Sequence, residues 1–125
     1  MRALGRHLIV EYTNCSTDVL NDIVFLENSM LEAAALAGTT IVKSVFHQYS
    51  PQGISGVVVI AESHMSIHTW PEYNYAAVDF FTCGQETDPL VACMYMKEKL
   101  QSDCHTLQEI VRGIPSIVDE VLEHK

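Results

Sequence analysis

Basic residues are scarce in this chain: seven Lys and Arg stand against 16 Asp and Glu, a formal net charge of −9. So acidic a chain lacks the positive surface with which proteins grip phosphate backbones, so nucleic acid is excluded as a partner. The same field favours a small cationic ligand. Long apolar runs are missing too. None approaches the roughly 20 residues that span a bilayer, and the start Met1-Arg2-Ala3-Leu4-Gly5-Arg6-His7 lacks the apolar stretch of a signal peptide. The chain is therefore expected to be soluble, cytoplasmic and without a membrane partner. The four cysteines, Cys15, Cys83, Cys93 and Cys104, form no Cys-x-x-Cys pair, so neither a zinc ribbon nor a redox dithiol is written here. Free cysteines are most often small buried apolar residues, which is the default reading for each. Repeats, low-complexity segments and linkers are also absent, so the 125 residues, 48% of them hydrophobic, are expected to fold as one domain.

What is present is local punctuation around apolar segments. His7 to Tyr12 reads as a first strand ended by Thr13-Asn14. Val19, Ile23, Leu26, Met30, Ala33 and Ala37 recur at spacings of four and three, an apolar stripe along one helix that Ser16 or Thr17 can cap and Gly38 can close. Thr39 to Ser50 reads as a strand with room for a bulge, and Pro51-Gln52-Gly53 turns the chain. Gly56 to Glu62 is apolar on both faces and is expected to be a strand covered on both sides. Tyr75 to Cys83 is another strand, with Asp79, Phe81 and Cys83 on one face. Asp88-Pro89 opens a second helix to about Leu100, Cys104 to Val111 forms a last strand, and residues 116–125 read as a helical tail. The order predicts an α+β two-layer sandwich: an antiparallel sheet with two helices packed on one face. The uncovered face calls for a partner, and a homodimer is the economical answer.

Gly53 to Gly84 is dense in polar side chains: Ser55, Glu62, Ser63, His64, Ser66, His68, Trp70, Glu72, Asp79 and Cys83 surround two apolar segments. His64 and His68 share a face on either a helix or a strand, but no third and fourth ligand come at a clear spacing, so no metal site is read. Ser55 sits in Gly-Ile-Ser-Gly, without the Gly-x-Ser-x-Gly elbow of a serine hydrolase. His7, Glu11 and His47 could line a site or satisfy one another.

The stretch Gly53-Ile-Ser-Gly-Val-Val-Val-Ile-Ala-Glu-Ser-His-Met-Ser-Ile-His-Thr-Trp-Pro-Glu72, with Tyr75-Ala-Ala-Val-Asp79, Phe81-Thr-Cys-Gly84, Gly5-Arg6-His7 and Phe46-His47, closely resembles the bacterial and archaeal S-adenosylmethionine decarboxylase proenzymes. The match runs nearly without gaps from about residue 4 to about residue 100, far more than a lone short motif. Decarboxylating an amino acid needs an electron sink, usually pyridoxal phosphate on a lysine. The four lysines here, Lys43, Lys97, Lys99 and Lys125, all lie outside the dense region. The resemblance implies a sink made from the chain itself. Ser63 would attack the Glu62 carbonyl, the ester would be eliminated, and a pyruvoyl group would remain where Ser63 stood, ready to form a Schiff base with the substrate amine.

By that resemblance the chain is cleaved between Glu62 and Ser63 into a β chain, 1–62, and an α chain, 63–125. His68 would be the processing acid/base, an imidazole being able to take and give a proton near neutral pH. Ser55 would assist processing, and Cys83 would protonate the carbon that has lost CO2. Tyr49, where the family often has Phe, and Trp70 would pack against S-adenosylmethionine, while Glu72 would hold the ribose hydroxyls. Asn74 replaces a common Gly in a position where both tolerate a left-handed turn. His64 is left without a role. The implied product is decarboxylated S-adenosylmethionine for spermidine synthesis. Two alternatives stand beside it: the same chemistry on arginine or ornithine, since fold kinship reports mechanism better than specificity, and a non-catalytic regulatory subunit of a decarboxylase.

Overall fold

The structure, a computed structural model, describes residues 4–84 and 86–113. Its elements follow the chain as β1 (Gly5–Thr13), α1 (Thr17–Leu20), α2 (Ile23–Leu36), β2 (Ile41–Gln48), β3 (Ile54–Ile60), β4 (Ser63–Trp70), β5 (Tyr75–Cys83), α3 (Pro89–Lys99) and β6 (Cys104–Arg112), with a 3-10 turn at Pro71–Tyr73. The strands form one antiparallel sheet in the order β2-β3-β4-β5-β1-β6. Helix α2 lies over β2 and β3, α3 lies over β5 and β1, and the two helices touch. This is the expected α+β two-layer sandwich. The expected helical tail at 116–125 lies outside the described residues.

Strand alternation sends one set of side chains toward the helices. Leu8, Val10 and Tyr12 of β1, Val58 and Ile60 of β3, Met65 and Ile67 of β4, and Val78 and Phe80 of β5 are buried there against Leu26, Met30, Ala33, Ala92 and Met96. The polar atoms drawn into this layer are paired. The Tyr12 hydroxyl donates to the Cys93 carbonyl at 2.6 Å, and burial, followed by that neighbour, pushes its pKa well up. Thr69 donates to the Leu20 carbonyl at 2.8 Å and accepts from the Ile54 amide at 2.9 Å, tying the β3–β4 hairpin to the end of α1.

Three expectations are corrected in detail. The first helix is broken in two, because Asn21 Oδ1 accepts from Gly53 N and Gln48 Nε2 while Asp22 restarts the helix by accepting from Phe25 N. Within one chain the Val57–Ile60 run is covered on one side, where Val58 and Ile60 are buried under the helices; Val59 faces the open side, where the second cover is expected from a partner, and is 39% exposed. Ser63–Trp70, read only as a polar-rich stretch, is a full strand. Cys15 and Cys93 are buried as expected, but Cys104, at the start of the edge strand β6, is exposed. The bulge allowed in β2 falls between Ile41 and Lys43. Asn74 adopts the left-handed conformation, φ 53°, and its side chain donates to Cys15 O and Thr17 Oγ1.

Candidate active site

Strands β3 and β4 are joined by a two-residue turn, Ala61-Glu62, with Ile60 opposite Ser63. The Glu62–Ser63 bond therefore sits at a hairpin tip. Ala61 N donates to Thr40 O at 2.8 Å and the Glu62 carboxylate accepts from Thr40 N at 3.0 Å, so the β2 side clamps the turn. Ser63 itself has φ 147°, a conformation that L residues rarely adopt and that strains the backbone where it occurs. Across the sheet, His64 is opposite Phe81 in β5, which carries the neighbouring end of that strand, Thr82 and Cys83, to the level of Ser63. Cys83 is half-buried and shares with Glu62 a pocket of about 430 Å³, lined also by Gly38, Gly84, Glu86 and Thr87. Gly5 makes room beside it, since a Cβ there would lie 2.7 Å from the Phe81 ring and 3.3 Å from Cys83 Sγ.

The alternation that buries the core sends a second set of side chains to the face without helices. There Asp79 is a hub. It accepts from Ser66 Oγ, from His7 Nε2 at 2.6 Å, and from His64 Nε2 at 3.3 Å. Arg112 Nη1 donates to His7 Nδ1 at 3.0 Å, so His7 carries its proton on Nε2 and gives it to Asp79. Burial opposes the charge on Asp79, but the hydrogen bonds from Ser66 and His7, with the nearby His64 and His7 rings, outweigh it and hold the carboxyl below its ordinary value. Phe81 braces the group, stacked on His7 at 4.9 Å with the Arg112 guanidinium 5.1 Å from its ring centre. On its other side, His64 Nδ1 lies 3.5 Å from Ser63 Oγ. Atoms of His7, His64 and Asp79 lie within 4.8 Å of one another, a set able to hold a metal ion, although each is already hydrogen-bonded within the cluster.

The remaining candidates gather elsewhere. Ser55 and His68 are cross-strand partners, Oγ to Nδ1 2.8 Å. Tyr49 lies edge-on to His47 at 4.7 Å, and His47 is opposite Ser55. Trp70, 40% exposed, stacks on Tyr75 at 5.3 Å, and Glu72 follows in the 3-10 turn. The Tyr75 hydroxyl donates to Glu11 at 2.6 Å, and burial together with that carboxylate pushes its pKa up to about 12. His68 lies five residues along β4 from Ser63, about 16 Å at strand rise. The expected residues thus form two groups at opposite ends of one face: Glu62, Ser63 and Cys83 at one, Ser55, His68, Tyr49, Trp70 and Glu72 at the other. His7, Glu11 and His47 do not pair with one another; each serves a different neighbour. The role of Asp79 as a hub, and the part of Ser66 and Arg112 in it, had only one signal in the sequence, the even spacing of 64, 66 and 79, 81 on strands that pair.

An antiparallel sheet with helices on one face, a cluster of polar side chains on the other, and a strained serine at a hairpin tip whose Glu62 shares a pocket with Cys83 defines the class: a small α+β two-layer sandwich with its polar residues gathered on the open face and one sheet end. A family model described as S-adenosylmethionine decarboxylase matches residues 6–113. The chain belongs to that family. It is 55% identical over 115 residues to the S-adenosylmethionine decarboxylase proenzyme of Moorella thermoacetica, covering 91% of each chain, and 48% identical over 125 residues to that of Thermodesulfovibrio yellowstonii, covering 100% of this chain and 93% of the relative. Among solved structures, the adenosylmethionine decarboxylase of Aquifex aeolicus superposes with a TM-score of 0.85 at 32% identity, covering 91% of this chain and 94% of that one. The kinship extends past residue 100 into β6, beyond the motifs legible in the sequence. Among the described residues no helix is long and apolar enough to cross a membrane.

Proposed function

We propose that this chain is a self-processing decarboxylase that converts S-adenosylmethionine to its decarboxylated form and CO2, using a pyruvoyl group made from Ser63. The observation that carries the reading is Ser63 itself, strained at a hairpin tip whose preceding residue, Glu62, shares a pocket with Cys83, in a chain about half identical to named decarboxylase proenzymes. The arginine, ornithine and regulatory readings find no such support, since the relatives above all bear the S-adenosylmethionine decarboxylase name.

In processing, Ser63 Oγ bonds to the Glu62 carbonyl carbon, the Glu62–Ser63 C–N bond breaks, and an ester replaces the amide. Loss of the Ser63 α-proton then expels the Glu62 carboxylate, and water replaces the Ser63 nitrogen, which leaves as ammonia. The fragments are 1–62 and 63–125. A pyruvoyl carbonyl at position 63 supplies the electron sink that decarboxylation requires. The residues present fit such a group: Glu62 and Cys83 bound a pocket large enough for a small carboxylate-bearing head, and no described lysine lines it. Cys83 holds at Sγ the proton returned to the α-carbon of the substrate. Tyr49 and Trp70 offer exposed aromatic faces for the adenine and sulfonium, and Glu72 a carboxylate for the ribose. Ser55 and His68, hydrogen-bonded together, serve processing as a donor and an acid/base.

Those roles require groups about 16 Å apart on one chain to meet at one substrate. We therefore propose a homodimer in which open faces pack head to tail, so that Ser63 and Cys83 of one protomer face the other protomer's aromatic and His68 end. Intact-mass measurement should give two fragments, each about half the chain, and CO2 should be released from S-adenosylmethionine and not from arginine or ornithine. A single uncut 14.0 kDa species after long incubation would refute the processing reading, and release only from arginine or ornithine would refute the substrate.

A further inference from the structure

We infer that His64 is the base that starts processing, taking the Ser63 hydroxyl proton on Nδ1 while Asp79 holds the ring in position through Nε2. The inference rests on the cleavage proposed above. His64 is the imidazole beside the nucleophile, its Nδ1 3.5 Å from Ser63 Oγ and its Nε2 3.3 Å from Asp79 Oδ2. For Nδ1 to accept from the serine, the ring proton must be on Nε2, and the Asp79 carboxylate is the acceptor that fixes it there. Nucleophile, base and orienting carboxylate then stand in the order of a Ser-His-Asp triad, on two neighbouring strands. A serine–imidazole distance this long is ordinary before reaction and shortens as the oxygen advances.

Asp79 is suited to the part because its own position is over-determined. Ser66, His7 and, through His7, Arg112 hold it from other directions, so the carboxylate stays put when His64 becomes charged. His68 is poorly placed for this step, being about 16 Å along β4 and engaged by Ser55.

The step balances without any outside reagent. Oγ bonds to the Glu62 carbonyl carbon as its proton passes to Nδ1. The scissile C–N bond then breaks, the departing Ser63 nitrogen takes the proton back from Nδ1, and His64 returns to its starting state. Nothing is oxidised or reduced, and the product is the Glu62–Ser63 ester with a free amine. Relief of the strain at Ser63 works in the same direction.

The test follows newly synthesised full chains by intact mass, with and without hydroxylamine, which cuts esters and spares peptide bonds. His64→Ala should melt as cooperatively as a Ser63→Ala chain, cleave on the order of a hundredfold more slowly than the unaltered chain, and yield no fragments to hydroxylamine. Added imidazole should restore part of the rate to His64→Gly. Asp79→Asn should slow cleavage in the same hydroxylamine-resistant way, and Asp79→Glu should recover it. Cleavage of His64→Ala at a rate close to that of the unaltered chain would overturn the assignment. So would a hydroxylamine-sensitive His64→Ala chain, which would put His64 after ester formation. Should His64→Ala fail to fold, His64→Gln carries the same comparison. An unaltered chain that never cleaves would instead overturn the processing reading on which this rests.

Discussion

The proposed head-to-tail dimer makes a quantitative demand on mixed subunits. Take one variant with Ser63→Ala and a second with His68→Ala, co-expressed with different tags so that they assemble at random. Each homodimer lacks one essential group from both sites. In the heterodimer, one site joins the Ser63 of the His68→Ala chain to the intact His68 of its partner, and the other site is doubly defective. Random pairing puts about half of the dimers in the mixed class, so about a quarter of all sites are complete. About half of the His68→Ala chains should then be cut into 1–62 and 63–125, none of the Ser63→Ala chains should be cut, and CO2 release should approach a quarter of that of the unaltered enzyme. The expectation rests on one structural number, the five residues of β4, about 16 Å, between Ser63 and His68. A site complete within one chain predicts no complementation at all, because each variant would be dead in every partner. Mixed dimers that form but neither cut nor turn over would therefore refute the shared-site arrangement.

Two further outcomes test the framework that carries the site, and both are best measured in a Ser63→Ala background so that only intact chain is compared. Thr69→Val keeps the shape but leaves the Ile54 amide and the Leu20 carbonyl unpaired in the interior, so urea unfolding should show a loss of about 2–4 kcal/mol; a loss under about 0.5 kcal/mol would mean that the hairpin is not tied to α1 in this way. The depressed pKa of Asp79 adds stability that is fully present above its unfolded value, about 4, and is lost as the pH falls through the lower folded value. Asp79→Asn should therefore be less stable at pH 7 and lose less on acidification below pH 4, and parallel pH–stability curves for the two chains would contradict the hub.

Much of the scaffold could be read in advance because it is written in local periodicity. The apolar stripe from Ile23 to Ala37, though not the break before it, the helix opened by Asp88-Pro89, and the strand 75–83 with Asp79, Phe81 and Cys83 on one face all follow from spacing and caps within a dozen residues. Strand β4 did not stand out because its outward positions are His64, Ser66, His68 and Trp70; a strand that carries a site on one face resembles a polar loop. The candidate site was legible as a set of residues, through family likeness, and illegible as a shape. Grouping Ser63 with Cys83, and Ser55 with His68, depends on which strands pair and in what register. No local pattern states that His7 will meet a carboxylate 72 residues away.

The arrangement also separates the requirements of maturation. Ester formation, as inferred, draws on Ser63, His64 and Asp79, all within one chain and held by two adjacent strands. In the proposed dimer, the later use of Ser55 and His68 at that centre would need the second chain. A monomer would thus reach the ester and wait there, with the Glu62–Ser63 linkage changed but unbroken, until its open face is covered. That order has a physical advantage. Turnover exposes reactive carbonyl chemistry, and in the proposed dimer tying the completed site to assembly would delay that exposure until the other protomer covers the sheet face. It also accounts for an open side that carries hydrogen-bonded histidines around a carboxylate, and aromatic rings, beside aliphatic residues such as Val59: in the proposed dimer one half of the face does the chemistry and the other covers its partner.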